Sequence, residues 1–188
     1  MKKSNLILKT YLLLFGLTLV FNACKKDDDN VATPPNQNEE EVITTMRLTF
    51  TDSANVQPTT SATFRDPDGD GGNGPDIHDT IRLASNTTYF VSLLLLNETE
   101  TPADTISNEV LDEADEHLFC FNPSGANVTI VRTDSDGTYE IGLESRWTTT
   151  AISTGTVQVE LKHQPGVKDG TCAPGDTDID VTFVTEIQ

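Results

Sequence analysis

Apolar and polar residues alternate along several short segments, most clearly in the last third of the chain. The segment GTVQVELKH places Val157, Val159 and Leu161 on one face. In DIDVTFVTEI the apolar positions alternate with polar ones that include Asp178 and Asp180. A period of two is typical of a β-strand with one face in a core. Both segments are therefore predicted strands, and Asp178 and Asp180 are expected on the polar face of the second.

Further segments rich in β-branched and aromatic residues are bounded by Gly, Pro, Asn and Asp, as strands are. They are EVITTMRLTFT, TTYFVSLLLLN, NVTIVRT and GTYEIGLES. TTYFVSLLLLN is apolar on both faces, which predicts a central strand covered on both sides. The pattern predicts an all-β fold over residues 42–188: one antiparallel β-sandwich, immunoglobulin-like, with eight or nine strands and little helix. The segment TPADTISNEVLDEADEH permits either a short helix or an irregular crossover.

The first segment has the character of a targeting signal. Lys2, Lys3 and Lys9 precede an uncharged run over residues 10–23, which is shorter than the roughly 20 residues of a membrane-spanning helix. Residues 1–23 are therefore a predicted signal peptide. Ala23 followed by Cys24 resembles the lipobox of bacterial lipoproteins, although Phe21 stands where leucine is usual. The resemblance implies that Cys24 carries fatty acyl chains such as palmitate, and a buried or disulfide-bonded Cys24 is the alternative.

The charged residues that follow Cys24 indicate which side of the membrane the anchored protein faces. Lys25 and Lys26 are followed by three aspartates at 27–29, which resembles the export signal of Bacteroidota surface lipoproteins. It implies an outer-membrane, lipid-anchored protein that faces the cell surface, with a periplasm-facing protein or a plain solvated charge run as alternatives. Residues 24–41 are otherwise polar and interrupted by proline, so they are predicted to form a disordered acidic tether.

The whole chain has 12 basic and 30 acidic residues and a net charge of −18. Removing residues 1–23 takes away three lysines, and nine basic against thirty acidic residues leave −21. Such a surface excludes nucleic acid as a partner and favours cations. With Cys24 lipidated, Cys120 and Cys172 remain as an even pair in an exported protein, which predicts a disulfide. Two free thiols that ligate a metal are the alternative.

The segment FRDPDGDGGNGPDIHD carries the strongest chemical signal. Asp66, Asp68 and Asp70 fit D-x-D-x-D-G, in which alternate carboxylates converge on Ca²⁺. The bidentate Glu of a full EF-hand loop is missing, and Asp76 and Asp79 are the candidates to replace it. Calcium is thus the one predicted cofactor, with a structural role. The alternative is a Gly/Asp-rich turn whose carboxylates bond their own backbone.

A second set of candidate ligands contains histidine. Glu113 and His117 lie four residues apart, and His78 and His163 are the other two imidazoles of the chain. If the fold brings two of the three together with Glu113 or Asp115, a Zn²⁺ or Cu²⁺ site results. Surface histidines paired with carboxylates are the alternative.

Five segments, RDPDGDGGNGP, LLNET, EADEHLFCF, VQVELKHQPG and DTDIDVTF, resemble an uncharacterised group of Bacteroidota lipoproteins, some of which carry the label "type 1 periplasmic binding fold". That fold needs two α/β lobes with parallel strands and long helices, about 300 residues in all. This chain is much shorter and has almost no helical pattern. The resemblance therefore implies a shared small lipoprotein domain and no particular biochemical activity.

Catalytic motifs are missing from the sequence, which contains no GxSxG, HExxH or P-loop. We therefore expect a protein that is not an enzyme. The first hypothesis is a surface binding module for a solute or metal that works beside an outer-membrane transporter. The alternative is a structural or adhesive lipoprotein that binds a partner protein or a surface polymer.

The lipid anchor gives a direct test. Replacing Cys24 with alanine removes the only acylated thiol, so the variant should stay uncleaved and take up no palmitate, because both steps need the cysteine. Metabolic labelling with palmitate measures this, and a Cys24→Ala protein that labels like the wild type would contradict the lipobox interpretation.

Overall fold

The computed structural model describes residues 41–55, 58–69 and 71–188. The strands are β1 (Thr45–Asp52), β2 (Pro58–Arg65), β3 (Ile77–His78), β4 (Ile81–Leu83), β5 (Thr88–Leu96), β6 (His117–Ser124), β7 (Val128–Arg132), β8 (Glu144–Thr149), β9 (Ser153–His163) and β10 (Asp176–Ile187). The helix α1 spans Ile106–Asp112, between β5 and β6. Within these ranges no helix is both long enough and apolar enough to span a membrane.

The strands form two sheets. One has six strands in the order β3-β2-β1-β5-β8-β7, and the other has four in the order β4-β10-β9-β6. The core lies between them, so the prediction of an all-β sandwich with little helix is confirmed. The described residues hold ten strands rather than eight or nine, because β3 and β4 have only two and three residues. β4 pairs with β10 in parallel, which makes the smaller sheet mixed.

The core is built from the inward faces of both sheets. In β1 the side chains of Met46, Leu48 and Phe50 are fully buried, as the period of two requires. Trp147 from β8 is also fully buried and packs edge-to-face on Phe50, with ring centroids 5.3 Å apart. Its indole Nε1 donates a hydrogen bond to Ser145 Oγ at 2.9 Å, so the polar atom of this large core residue has a partner.

Strand β5 differs from its prediction on one face. It is central, between β1 and β8, and its inward residues Tyr89, Val91, Leu93 and Leu95 are buried. Its other face is only partly covered: Phe90 remains 53 % exposed, whereas Leu94 and Leu96 are half-buried. Apolar character on both faces of a strand therefore did not mean burial on both faces here.

The helix α1 closes one end of the sandwich. Ile106 and Val110 lie on one side of its two turns and are buried in the core. The hydroxyl of Ser107 accepts a hydrogen bond from the backbone N–H of Leu95 at 2.6 Å, which joins the helix to the end of β5. Of the two alternatives that the sequence left open for this segment, the short helix is the one that forms.

A disulfide joins Cys120 in β6 to Cys172 in the loop between β9 and β10, with Cα atoms 6.1 Å apart. The predicted pairing is confirmed. The bridge holds the long loop against the outward face of β6, where Cys120 is fully buried. The loop is fastened further by Gln164, whose side-chain amide donates to the carbonyl oxygens of Thr171 and Pro174.

Breaking this bridge should lower stability by a large fraction of the total. The two cysteines are 52 residues apart, and closing a loop of that length in the unfolded chain is worth about 4 kcal/mol on the chain-entropy model. We expect Cys172→Ser, which leaves the buried Cys120 in place, to lower the free energy of unfolding in urea by about that amount. Dithiothreitol should have the same effect on the wild type and none on the variant. A variant as stable as the oxidised wild type would contradict the assignment.

Candidate metal centre

Two histidines lie side by side at one end of the smaller sheet. His117 is the first residue of β6, His163 is the last residue of β9, and the two are direct partners in the antiparallel ladder. They share the inward face with Phe119 and Leu161, the next inward-facing pair of the same ladder. Both are buried, with exposed fractions of 0 % and 5 %. The fold thus brings together two of the three imidazoles, at the end of the core.

The two imidazole rings are stacked and almost parallel. Their centroids are 4.7 Å apart and their planes differ by 5°. His117 Nδ1 lies 3.1 Å from the carbonyl oxygen of Glu113. A carbonyl only accepts hydrogen bonds, so in neutral His117 this contact assigns the ring proton to Nδ1 and leaves a lone pair on Nε2. Among the described residues, the buried Nε2 atoms of His117 and His163 have no hydrogen-bond partner.

Carboxylates surround the free edge of this pair. The ligand atoms of Glu113, His117 and His163 all lie within 4.8 Å of one another. Asp178 Oδ2 is 3.6 Å from His117 Nε2, and Glu116 Oε2 is 3.5 Å from His163 Nε2. The side chain of Asp178 is completely buried, whereas Glu113 is exposed. The cluster therefore extends from the buried end of the core to the surface.

Asp178 reaches this position through a β-bulge. The alternation in β10 predicts Asp178 on the polar face with Asp180. The register of β10 against β9 shifts between Thr177 and Ile179, so Asp178 is the extra residue and its side chain is not placed by the regular alternation. A bulge commonly re-aims a side chain in this way. The expectation for Asp178 was wrong for this reason, while Asp180 is exposed as predicted.

His117 is uncharged at neutral pH. Burial is the main cause and lowers its pKa to about 4, although the bond to the carbonyl of Glu113 acts in the opposite direction. The proximity of His163 and Lys168 lowers the pKa of His117 further. His117 Nε2 and Asp178 Oδ2 are 3.6 Å apart, which is within the range of an ion pair. At pH 7 they do not form one, because the imidazole of His117 is uncharged.

The nearby lysine does not compensate the acids of the cluster. Lys168 Nζ donates to the carbonyl oxygen of Ala114 at 2.7 Å and to Asp136 Oδ2 at 2.8 Å. The bond from Lys168 is the main reason why the pKa of Asp136 is lowered to about 2. The lysine charge is thus matched by Asp136, which lies outside the group around the histidines.

Glu41 shows how crowded the negative charges are. Its backbone N–H donates to Asp178 Oδ1 at 3.4 Å. Burial, followed by the proximity of Glu109, raises the pKa of the Glu41 side chain to about 7, and Asp178 and Glu113 contribute in the same direction. A carboxyl group holds its proton this strongly when its surroundings are both desolvated and negative.

This arrangement has the chemistry of a divalent cation site. Imidazole nitrogen together with carboxylate oxygen is a donor set of Zn²⁺ and Cu²⁺ sites. Two parallel rings do not direct both Nε2 lone pairs at a single point, so an ion bound by both histidines requires one ring to tilt. Glu113, His117 and His163 are the ligands that the sequence suggested, and Asp178, Glu116 and Glu41 are additions from the structure.

Sequence reasoning missed these additions for separate reasons. A bulge has no signature in the alternation of β10, so Asp178 was assigned to the wrong face. Glu41 was assigned to the tether, although it lies only four residues before the start of β1. Glu116 follows Asp115 in the same acidic stretch, and nothing in the spacing distinguishes the two. Asp115 is exposed and is not part of the ligand group.

The predicted calcium loop has other contacts in the described residues. Asp68 Oδ2 accepts hydrogen bonds from the backbone N–H and side-chain amide of Asn73, and these bonds lower its pKa. Asp76 forms an ion pair with Arg65 and Asp79 accepts from the backbone N–H of Thr63. Asp66 bonds through its backbone to Thr44, and Asp70 lies outside the described residues. Several of these contacts suit the turn interpretation, and calcium binding stays a prediction.

The remaining predicted residues lie elsewhere. His78 contacts the carbonyl oxygen of Thr182 at 3.2 Å and packs edge-to-face on Phe64 and Phe183, away from the histidine pair in the smaller sheet. Cys24, the signal peptide over residues 1–23 and the tether up to residue 40 lie outside the described residues.

Comparison with models of known protein families, with curated proteins and with solved structures finds no significant match for this chain.

The opposite pKa shifts of Glu41 and His117 predict how the stability of the protein depends on pH. The unfolded chain binds a proton at His117 more tightly than the folded protein, so stability falls as pH drops from about 6.5 to about 4, by about 3 kcal/mol in total. The folded protein binds a proton at Glu41 more tightly, so this group lowers stability as pH rises from about 4.5 to about 7. The two slopes oppose each other between about pH 4.5 and 6.5.

We therefore expect Glu41→Gln to remove the opposing contribution, so that the loss of stability caused by protonation of His117 becomes measurable. Urea unfolding between pH 4 and 7 should show a steeper loss of stability on acidification in this variant than in the wild type. Glu100→Gln, at an exposed position outside the cluster, is the matched control and should follow the wild type. Equal slopes for Glu41→Gln and the wild type would show that the two groups do not oppose each other.

Proposed function

We propose that this protein is a non-enzymatic metal-binding module that holds one Zn²⁺ or Cu²⁺ ion between His117, His163, Glu113 and Asp178. The observation that carries the proposal is that, within the part of the chain the structure describes, the buried Nε2 atoms of His117 and His163 have no hydrogen-bond partner and lie near carboxylates. An unsatisfied polar atom in a protein interior costs about 1–3 kcal/mol. A cation between these groups satisfies all of them together and removes the repulsion among the acids.

The donor types favour a transition metal over calcium. Ca²⁺ and Mg²⁺ take oxygen ligands almost exclusively, and imidazole nitrogen suits Zn²⁺ and Cu²⁺. His117 is also oriented as metal-binding histidines usually are, because its other ring nitrogen contacts a backbone carbonyl. That contact holds the ring in the tautomer whose Nε2 is free to bind.

Burial favours holding an ion over turning over a substrate. Both imidazoles and the side chain of Asp178 are at most 6 % exposed, and the exposed Glu113 is the ligand nearest to solvent. An ion would enter along the acidic side chains of Glu113 and Glu116. The strongly negative chain raises the local concentration of cations along this path.

The proposed location follows from the lipobox and from the lysine and aspartate run behind Cys24. We propose a lipid-anchored protein of the outer membrane with its domain at the cell surface, where it captures metal ions for a neighbouring transporter. The tether would join the domain at Glu41, which borders the metal centre.

Native mass spectrometry of the full chain tests the proposal. We expect one Zn²⁺ or Cu²⁺ per chain, lost on treatment with EDTA. At 100 times Kd the ion should raise the free energy of unfolding by about 2.7 kcal/mol, because it binds the folded state. His117→Gln and His163→Gln should each abolish uptake. His78→Gln changes the third histidine, which is not part of the centre, and should bind as the wild type does.

The test stays valid if the buried histidine variants fail to fold. Glu113→Gln changes an exposed ligand and should weaken zinc affinity at least tenfold while the fold persists. A wild-type chain that takes up neither zinc nor copper would exclude the proposal, and so would a loss of uptake in His78→Gln equal to that in His163→Gln. A stabilisation specific to calcium and removed by Asp68→Asn would instead identify the acidic loop as the metal site.

A further inference from the structure

Four of the six strands of the larger sheet form an outward surface, which we call the outer face, with an unusual composition for this acidic chain. It consists of the outward side chains of β1, β5, β8 and β7. Its central strand β5 contributes Phe90, Ser92 and Leu94. Phe90 is 53 % exposed and Val131 in β7 is 41 % exposed. Exposed apolar residues that are grouped on one open face, and not scattered singly, mark a contact surface.

Two arginines flank this apolar strand. The ladder places Arg47 of β1 directly opposite Leu94, and Arg146 of β8 directly opposite Phe90. Neither arginine forms a direct ion pair among the described residues, although Arg47 is close enough to Glu98, the partner of Arg65, to help lower the pKa of that carboxyl group. The other five described cations all form a direct ion pair: Arg65 with Asp76 and Glu98, Arg82 with Glu186, Arg132 with Glu140, Lys162 with Glu160, and Lys168 with Asp136. In a chain with 30 acidic residues, two arginines on one face that form no direct ion pair within the described residues indicate a ligand that supplies negative charge.

The spacing of the two arginines describes the ligand further. Leu94 and Phe90 are four residues apart along β5, about 14 Å, and β1 and β8 lie two strand spacings apart, about 10 Å. The Cα atoms of Arg47 and Arg146 are therefore about 17 Å apart on a diagonal across the face. A ligand that reaches both must be extended and must carry more than one anionic group.

Hydroxyl groups lie between and beside the two arginines, with Thr49 and Ser92 in the row between them. Outward positions of the same four strands carry Thr49, Thr51, Ser92, Thr129 and Thr148. Glu144, opposite Ser92, adds one carboxylate to the face. Partial burial, followed by the proximity of Asp134, raises the pKa of Glu144. Hydroxyl and carboxylate oxygens accept hydrogen bonds from a ligand that is itself rich in hydroxyl groups.

We propose that the outer face binds a strand of acidic polysaccharide. Phe90 stacks against the apolar face of one sugar ring, and Arg47 and Arg146 bind carboxylate or sulfate groups on sugars at either side. Arginine is suited to this because its planar guanidinium bonds an oxyanion through two parallel N–H groups. Thr49, Ser92 and Glu144 bond the sugar hydroxyls between the two arginines, and the remaining threonines bond those beside them. This surface belongs to the six-stranded sheet and does not share a residue with the metal centre.

Other extended anions fit the face less well. Nucleic acid and anionic membranes present dense negative charge, and two arginines on a strongly acidic chain do not compensate it. An acidic peptide would match the arginines and would leave the exposed ring of Phe90 and the rows of hydroxyls without a specific role. A polysaccharide with spaced charges uses the arginines, the exposed ring and the hydroxyls. At physiological salt, acidic side chains of the protein more than about 8 Å from the ligand repel it only weakly, because their charges are screened.

Binding of the full chain to a panel of polyuronates and sulfated glycans tests this proposal: polygalacturonate, alginate, hyaluronate and chondroitin sulfate. The measurements are made in EDTA, so that metal binding plays no part. At least one member should bind the wild type, and methyl-esterified polygalacturonate, which has the same backbone without charge, should bind at least tenfold more weakly than polygalacturonate if that is the ligand. Arg47→Gln and Arg146→Gln should each weaken binding roughly tenfold, and Phe90→Ser should do the same.

Arg82→Gln provides the matched control. It removes the same charge from an exposed position on β4, in the other sheet, and should leave affinity unchanged, whereas all variants should keep the thermal stability of the wild type within a few degrees. The proposal is overturned if no member of the panel binds, if Arg82→Gln weakens binding as much as Arg47→Gln, or if polyglutamate of equal charge competes as well as the glycan. Because the assay contains no metal, failure here leaves the proposed metal centre unaffected, and failure to bind zinc leaves this face unaffected.

Discussion

The ladder that β9 forms with both of its neighbours fixes the position of the candidate centre. β9 has eleven residues and pairs along its length with β6 on one side and β10 on the other. The register with β6 puts His117 directly opposite His163, and a register shift by one residue would turn one of the two rings to the opposite face. The register with β10 contains the bulge at Asp178. Three of the candidate ligands are thus placed by backbone hydrogen bonds, and α1 brings the fourth candidate, Glu113, onto the same end.

Local pattern was enough to predict the architecture. The alternation in β9 and β10 and the dense β-forming segments gave the all-β sandwich, because each strand buries one face whatever its neighbours are. Pairing between distant segments was not predictable in the same way. The spacing of Glu113 and His117 suggested one half of a metal site, but the arrival of His163 depends on a ladder between residues 46 positions apart. The side chain of Asp178 depends on a bulge, which alternation does not reveal.

The acidic loop and the open face of β5 illustrate two further limits of the sequence. The pattern of Asp66, Asp68 and Asp70 identifies residues that suit calcium, but it does not show that Arg65 and the backbone of Thr63 compete for Asp76 and Asp79. In β5, apolar residues on both faces indicated burial on both faces. The structure leaves Phe90 uncovered, and only the tertiary arrangement distinguishes a second core from an exposed surface.

The disulfide shortens the path along the chain between the two histidines. His117 and Cys120 are three positions apart, and His163 and Cys172 are nine, so in the oxidised chain the connection runs over about a dozen residues rather than 46. The entropy lost on bringing the imidazoles together in the unfolded chain falls accordingly, by about 1 kcal/mol. An oxidised but unfolded chain is therefore better prepared to chelate an ion than a reduced one. If the candidate centre takes up an ion, oxidation before uptake would allow the ion to hold the ends of β6 and β9 together while the sheets are still forming, and the order of the two events would then affect the route to the native state.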